Sequence, residues 1–168
     1  MAKGPKTEQD LNEAFAGESQ ANRKYLAFAK QADGDGFPQV ARLFRAAAEA
    51  ETIHAHNHLR ALGAVKETRA NLLDAINGET HEFMEMYPQM IADAEREEAA
   101  EARRSFVFAN AVEKVHAALY RKALETLGAA VEEFDYLVCP VCGNTVEREA
   151  PKKCPVCGAA GATFQLVR

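Results

Sequence analysis

The sequence has no tryptophan, only 6 prolines and 10 glycines among its 168 residues, and no long apolar run. Few prolines and glycines leave long segments free to form helices. Because no stretch approaches the roughly 18 consecutive apolar residues that can cross a membrane, no membrane partner is expected. The chain also lacks an excess of positive charge. A net charge of −5 without a basic run argues against nucleic acid as a partner.

The first six residues lack the apolar core of a secretion signal, so we expect the protein to be cytoplasmic. Cysteines stay reduced in that compartment, which disfavours disulfides. All four cysteines lie beyond residue 138, in the last part of the chain. Clustered cysteines in a reduced protein are typical of metal ligands.

The hydrophobic pattern divides the chain into two predicted domains. Residues 1–134 carry helical periodicity in four segments, 8–32, 39–62, 68–96 and 98–126, which predicts a four-helix bundle. Gly78 and Pro88 are expected to interrupt and kink the third helix. Residues 135–168 have short apolar runs and are too few to bury a core, so a metal-stapled domain of strands and loops is expected there. The predicted fold class is therefore mainly α.

Glutamates on apolar helix faces are the most informative feature of the predicted bundle. A shift of 62 residues superimposes one Glu-x-x-His pair on another, and residues three apart on a helix lie on one face. Each predicted helix places one glutamate within its apolar stripe, and two helices add a histidine: Glu18, Glu51 with His54, Glu79, and Glu113 with His116.

Any one of these glutamates could be an ordinary solvated helix residue. Taken together, four carboxylates and two imidazoles on apolar faces are typical of the di-iron or di-manganese site of ferritin-like bundles. Glu82 lies about 60° to the side of the third stripe. Tyr25 and Tyr87 are either core aromatics or hydrogen-bond partners of the carboxylates.

The four cysteines form two identical Cys-Pro-Val-Cys-Gly motifs, with Cys139 and Cys142 in the first and Cys154 and Cys157 in the second. Two such knuckles place four thiolates around one zinc or iron ion. The spacing does not choose between the two metals. Zinc would hold the fold only, whereas iron would also carry one electron.

These motifs together resemble the rubrerythrin family over nearly the whole chain. The resemblance rests on both Glu-x-x-His pairs, both cysteine knuckles and three stretches around Glu18, Glu79 and Tyr87: Phe15-Ala-Gly-Glu18-Ser-Gln-Ala, Gly78-Glu79-Thr-His-Glu82 and Glu85-Met-Tyr-Pro88. It implies a ferritin-like di-iron bundle over residues 1–134. It also implies a rubredoxin-like domain with one iron over residues 135–168.

The resemblance further implies a role for each candidate residue. Glu18 and Glu79 would be terminal ligands of opposite irons, with Glu51 and Glu113 bridging them. His54 and His116 would each bind one iron, and Glu82 would replace His54 when the site is oxidised. Tyr25 and Tyr87 would hydrogen-bond the terminal carboxylates, and the other iron would be bound by Cys139, Cys142, Cys154 and Cys157. Asn144 departs from the family, which often has an aromatic residue there.

The implied function is that of a non-haem di-iron peroxidase that reduces hydrogen peroxide to water and protects against oxidative stress. Electrons would reach it from rubredoxin or an NAD(P)H-dependent reductase, through the cysteine-bound iron. A homodimer or larger assembly is expected, with or without a domain swap. The resemblance implies a head-to-tail dimer in which the cysteine domain of one subunit docks beside the di-iron site of the other. Two alternatives are a ferritin-like iron oxidation and storage protein with structural zinc at the cysteines, and a redox sensor. Zinc could also enter the cysteine site of a peroxidase during overexpression.

Overall fold

A computed structural model describes residues 4–130 and 132–167 of the chain. The domain ends predicted at residues 1 and 168 lie outside these residues. The α-helices are α1 Pro5–Gly34, α2 Pro38–Leu62, α3 Thr68–His81, α4 Tyr87–Arg96 and α5 Ala100–Glu125, and the strands are β1 Tyr136–Val138, β2 Thr145–Glu147 and β3 Gln165–Val167. The predicted mainly helical fold with a small cysteine-bearing strand segment is confirmed. No helix among the described residues is both long enough and apolar enough to span a bilayer.

Prolines and glycines set several helix ends. Pro5 and Pro38 lie in the first turns of α1 and α2, where a missing N–H group leaves no helical bond unmade. Gly63 follows α2 in the left-handed conformation with φ 69°, which favours glycine and stops the helix. The predicted second helix, 39–62, therefore agrees with α2 to within one residue at its start.

The chain forms two compact units, one ending at Lys66 and the other beginning at Glu67. The first unit is an antiparallel pair of helices, α1 and α2. The amide of Asn22 on α1 donates to the carbonyl oxygen of Ala48 at 2.7 Å and to the hydroxyl oxygen of Thr52 at 2.8 Å, both on α2. Buried alanines, Ala48 among them, let the two helices approach closely.

The second unit contains α3, α4, α5 and the cysteine-bearing segment. Arg121 on α5 donates to the hydroxyl oxygen of Thr80 on α3 at 2.8 Å, and the Tyr87 and Phe106 rings lie 6.3 Å apart. These contacts pair later residues of α5 with earlier residues of α3 and α4, so α5 runs antiparallel to both. The predicted domain boundary between residues 134 and 135 stays a prediction.

The third predicted helix, 68–96, is divided by a π-helix over Glu82–Met86. Gly78, where an interruption was expected, lies within continuous α-helix. The N–H group of Tyr87 bonds the carbonyl oxygen of Glu82, five residues earlier. Pro88 has no N–H group with which to continue an α-helical pattern, and it lies in the first turn of α4. The interruption therefore belongs to the proline and not to the glycine.

The cysteine-bearing segment, residues 135–167, contains a three-stranded antiparallel sheet in the order β2-β1-β3. Val138 at the end of β1 pairs with Thr145 at the start of β2, so the first knuckle is the turn between these strands. An ion pair between Lys122 of α5 and Glu147 of β2 holds the sheet against the helix. Arg148 adds a cation–π contact, with its guanidinium 4.6 Å from the centre of the Phe134 ring.

Gly161 makes the closest backbone approach in this segment, so we expect Gly161→Ala to disrupt the second knuckle. A Cβ atom there would lie 1.8 Å from the carbonyl oxygen of Pro151, and the backbone is held by a 3.0 Å bond from the Gly161 N–H group to Lys152. The variant should lose metal from the cysteine site on dialysis, measured by metal analysis. Gly17→Ala is the control, because a Cβ there meets nothing within 4 Å. It should stabilise α1 by up to about 1 kcal/mol. Equal metal retention in both variants would contradict the prediction.

Candidate metal centres

The first candidate centre lies in the unit formed by α1 and α2. Glu51 and His54 lie one helical turn apart on α2, and His54 Nδ1 is 2.9 Å from Glu51 Oε2. Glu18 on α1 places its Oε1 4.0 Å from the same nitrogen. The structure thus brings together these three predicted ligands, with one possible ligand atom from each within 4.8 Å of the others. The His54 side chain is 53% exposed.

The second centre repeats this arrangement in the other unit. His116 Nδ1 lies 2.8 Å from Glu113 Oε2 on α5 and 3.8 Å from Glu79 Oε2 on α3. Its side chains are more enclosed than those of the first centre: His116 is 28% exposed and Glu113 16%. The internal repeat in the sequence therefore corresponds to two centres of the same construction, each with two carboxylates and one imidazole.

The carboxylates of the second centre lie close enough to perturb one another. Burial raises the pKa of Glu79 from its ordinary value of 4.5 to about 7, with further contributions from a hydrogen bond to Glu113 and from the negative charges of Glu113 and Glu82. A group of carboxylates in this state is stabilised by a cation, because the cation offsets both the desolvation and the repulsion. Oxygen and imidazole donors suit iron, manganese and zinc.

Glu82 lies at the start of the π-helix and outside the tight group of ligand atoms in the second centre. Burial raises its pKa, and the charge of Glu113 raises it further, while His81 and His116 act in the opposite direction. Its carboxylate is therefore within electrostatic reach of Glu113 and His116. The predicted exchange of Glu82 with His54 stays a prediction.

The predicted tyrosines differ in their surroundings. Tyr25 lies among aromatic rings, with ring-centre distances of 6.4 Å to Phe28 and 6.1 Å to Phe44. Burial and then the negative charges of the second centre raise the pKa of Tyr87, which places its hydroxyl near that centre. The hydrogen bonds predicted from both tyrosines to carboxylates stay predictions.

Tyr120 is a neighbour of the second centre that the sequence analysis did not single out. Burial and the charges of Glu79 and Glu113 raise its pKa as they raise that of Tyr87. Its position in the same apolar stripe as Glu113 was a usable signal. A tyrosine in an apolar stripe is nonetheless read first as a core residue.

The four cysteine sulfurs gather in one group, as predicted. The Cys139 and Cys157 sulfurs are 3.6 Å apart, and those of Cys142 and Cys154 are 3.5 Å apart. A disulfide requires about 2.05 Å. Metal–sulfur bonds of about 2.3 Å in a tetrahedron place the sulfurs about 3.8 Å from each other. The observed spacing fits a tetrathiolate metal site.

The thiols of this group differ in acidity. Burial raises the pKa of Cys142 well above its usual range. Burial also acts to raise the pKa of Cys154, but the N–H groups of Cys157 and Val156 and the neighbouring thiols outweigh it and lower the pKa to about 7. Cys154 therefore supplies a thiolate near neutral pH, at which a metal ion can begin to displace the remaining thiol protons.

A hydrogen bond connects the second centre to the cysteine-bearing segment within one unit. His116 Nε2 lies 3.0 Å from the hydroxyl oxygen of Thr145 on β2. The sequence held no signal for this contact, since Thr145 lies 29 positions from His116 and outside every motif. Asn144, the departure from the resembled family, is only 2% exposed, and its amide nitrogen has no hydrogen-bond partner in the structure.

Comparison with known families gives two matches in chain order. The family described as Rubrerythrin matches residues 10–124, which include both Glu-x-x-His pairs. The family described as Rubrerythrin, rubredoxin-like domain matches residues 138–165, which include all four cysteines. Together they confirm the predicted resemblance.

Individual relatives are similar over almost the full length. Rubrerythrin-2 of Clostridium acetobutylicum is 38% identical, with 97% of each chain covered. Nigerythrin of Nitratidesulfovibrio vulgaris is 37% identical, over 94% of this chain and 85% of nigerythrin. The solved structure of nigerythrin in a partially reduced state matches with a TM-score of 0.59 and 34% identity, over 99% of this chain and 89% of that one. A fully reduced nigerythrin structure, described as all ferrous, has the same TM-score at 33% identity.

These matches confirm the predicted fold class and the kind of cofactor. This chain carries glutamate–histidine groups of the di-iron type and a four-cysteine site of the rubredoxin type.

The raised pKa of Glu79 predicts how the stability of the metal-free protein depends on pH. Its pKa is higher in the folded protein than its ordinary value, so this carboxyl favours folding below pH 4.5 and loses that contribution as the pH rises through about 7. Glu79→Gln should therefore flatten the fall in the free energy of unfolding between these pH values, measured by chemical denaturation of the metal-free chain. Glu85→Gln is the control because its side chain is 74% exposed. A Glu79→Gln curve parallel to that of the unaltered protein would contradict the prediction.

Proposed function

Since the chain belongs to the rubrerythrin family, we propose that it is a peroxidase that reduces hydrogen peroxide to water. Membership of this family implies an oxidoreductase. The observation that carries the finer proposal is the presence, in one chain, of two glutamate–histidine centres and a four-sulfur site. A storage protein has no need for an electron-carrying site, whereas a peroxidase that is reduced after each turnover does.

In this proposal both glutamate–histidine centres serve one pair of irons. Each centre offers two carboxylates and one imidazole, so the pair would be held by Glu18, Glu51, His54, Glu79, Glu113 and His116, with Glu82 as a further carboxylate. The cysteine group would hold the third iron. The donor sets support this assignment: oxygen and nitrogen ligands gather in one kind of centre and thiolates in the other.

Reduction of one hydrogen peroxide to two waters consumes two electrons and two protons. Bound iron would supply the electrons, and single electrons from the cysteine site would replace them. The carboxylates of this chain let the site change its coordination, because a carboxylate can bind through one or both oxygens without moving the backbone. Glu82 suits such a change, because it lies beside the second centre but outside its tight group of ligand atoms.

External components complete the proposed reaction. An NAD(P)H-dependent reductase or a rubredoxin would deliver electrons to the cysteine site. Large apolar side chains such as Leu43 and Ile53 on α2 and Met84 on the π-helix are more than half exposed, which supports a homodimer or larger assembly that covers them. The four reduced cysteines support a cytoplasmic location.

Metal content and peroxide turnover test the proposed function. We expect about three irons per full-length chain and the red absorption of an iron–thiolate site. Glu113→Ala and Glu51→Ala should each lose the iron pair, retain the cysteine-bound iron and lower peroxide turnover by at least about 100-fold. Glu125→Ala, at an exposed position of α5, is the matched control. Retention of both paired irons in Glu113→Ala would show that the assignment is wrong. Zinc at the cysteines of protein from its native cells, together with no peroxide turnover, would favour iron storage.

Glu82→Ala tests the carboxylate that lies outside the tight ligand group. The variant should retain its iron in the reduced state but turn over peroxide about 10- to 100-fold more slowly. Glu85→Ala lies in the same π-helix with a 74% exposed side chain and should behave like the unaltered protein. Iron content and stopped-flow peroxide reduction measure the two effects separately. Unchanged turnover in Glu82→Ala would exclude its role as an exchanging ligand.

A further inference from the structure

The second hydrogen bond of the Thr145 hydroxyl favours one direction for its contact with His116. The Thr145 hydroxyl donates to the carbonyl oxygen of Gly143 at 3.1 Å. A hydroxyl has one proton to donate, so toward His116 its oxygen can only accept. While the hydroxyl donates to Gly143, the 3.0 Å contact is made by the Nε2–H group of His116 donating to the Thr145 oxygen. A neutral ring with its proton on Nε2 has a lone pair on Nδ1, which a metal ion held by the neighbouring carboxylates would bind. Without the ion, the 2.8 Å contact between Nδ1 and Glu113 Oε2 needs a proton on one of the two groups.

The free nitrogen is the one that faces the carboxylates. His116 Nδ1 lies 2.8 Å from Glu113 Oε2 and 3.8 Å from Glu79 Oε2. A metal ion can bind all three atoms only if Nδ1 carries no proton. A hydrogen bond from the other ring nitrogen fixes the tautomer and the orientation of a metal-binding histidine. Thr145 stands in the position to do this.

The surroundings of the Nε2 edge give it few other partners. A cavity of about 310 Å³ lies beside His116 and Thr145 and is otherwise lined by Leu72, Leu119, Tyr120, Ala123 and Tyr136. Most of these side chains present carbon atoms. Without the Thr145 hydroxyl, the Nε2–H group of the partly exposed His116 would face a mainly apolar cavity wall.

His54, the equivalent residue of the first centre, has different surroundings. Its recorded contacts with described residues, those with Glu51 and Glu18, involve Nδ1, and its side chain is 53% exposed. The internal repeat thus gives both centres the same carboxylates and imidazole. Of these two histidines, only His116 has a hydroxyl group of a described residue within hydrogen-bond distance of its Nε2 atom.

We propose that Thr145 is a positioning residue for His116: its hydroxyl holds the ring in the Nε2–H tautomer and presents Nδ1 to the metal. The proposal rests on the proposed function in that the metal is one of the paired irons. Thr145 belongs to β2, and its hydroxyl oxygen is held by Gly143 in the first cysteine knuckle. Folding of the cysteine-bearing segment therefore orients a histidine of the second centre within one unit.

The first experiment reads the tautomer directly in the unaltered protein. Full-length chain labelled with ¹⁵N at histidine is loaded with zinc, which is diamagnetic and suits NMR. His116→Gln identifies the His116 signals. We expect metal-bound Nδ1 and a proton on Nε2 that exchanges with water more slowly than the ring proton of His54. Metal binding through Nε2, or equally fast exchange in both histidines, would overturn the proposal.

The second experiment removes the hydroxyl. Thr145→Val should lower the affinity of the full-length protein for the iron of the second centre by about 10- to 100-fold, measured as iron(II) competition with a chelator. Thr145→Ser restores a hydroxyl and should bind iron almost as the unaltered protein does. Absorption of the cysteine-bound iron checks that the segment remains folded. No loss of affinity in Thr145→Val, or an equal loss in both variants, would overturn the proposal.

Neither readout involves peroxide. If the unaltered protein binds its metals with the expected tautomer but does not reduce peroxide, the proposed function fails while the role of Thr145 is supported. If peroxide is reduced but the tautomer is reversed, the proposed function is supported and the role of Thr145 fails.

Discussion

Carboxylates held against apolar helix faces are the constraint on which this structure depends. Glu79 and Glu113 lie close enough to share a hydrogen bond, and burial raises the pKa of Glu79 to about 7. Side chains in this position weaken a helix pair unless positive charge joins them. His116, one turn along from Glu113, supplies a ligand atom but no permanent charge. A bound metal ion would supply the positive charge that offsets the repulsion between the carboxylates. The first centre gathers Glu18 and Glu51 with His54 in a similar group.

The cysteine-bearing segment meets a different difficulty, its small size. Its strands have three residues each, and its buried residues include Cys139 and Cys154. Four sulfurs 3.5 to 3.6 Å apart in pairs replace the hydrophobic core that such a short segment cannot form. The segment then contacts α5 through the ion pair of Lys122 with Glu147 and the hydrogen bond of Thr145 with His116. The ion pair holds the segment against α5, and the hydrogen bond joins it to His116, a candidate metal ligand.

The features that repeat with a short period were predictable from the sequence. Helical periodicity located the helices, and the spacing of Glu51 with His54 and of Glu113 with His116 placed each pair on one face, as the structure has it. The cysteine spacing predicted the four-sulfur group. The contact of Thr145 with His116 was not predictable, because it joins distant residues through the placement of one element on another. The π-helix was also missed: Pro88 indicated an interruption, but a proline does not determine that an extra residue enters the turn before it.

The extra residue in the π-helix changes the direction in which the side chains after it point around the helix axis. An α-helix advances about 100° per residue, so one additional residue in a turn rotates everything beyond it by about that angle. The side chains of α4 therefore point in directions rotated by about 100° from those that a continuous α-helix after α3 would give them. Glu79 lies before the change and Tyr87 after it, yet both lie near the carboxylates of the second centre. Deleting Met84, which lies between them, would leave every predicted ligand in the sequence and turn the tyrosine to another side of the helix. The extra residue thus determines which side of the helix carries Tyr87 relative to Glu79.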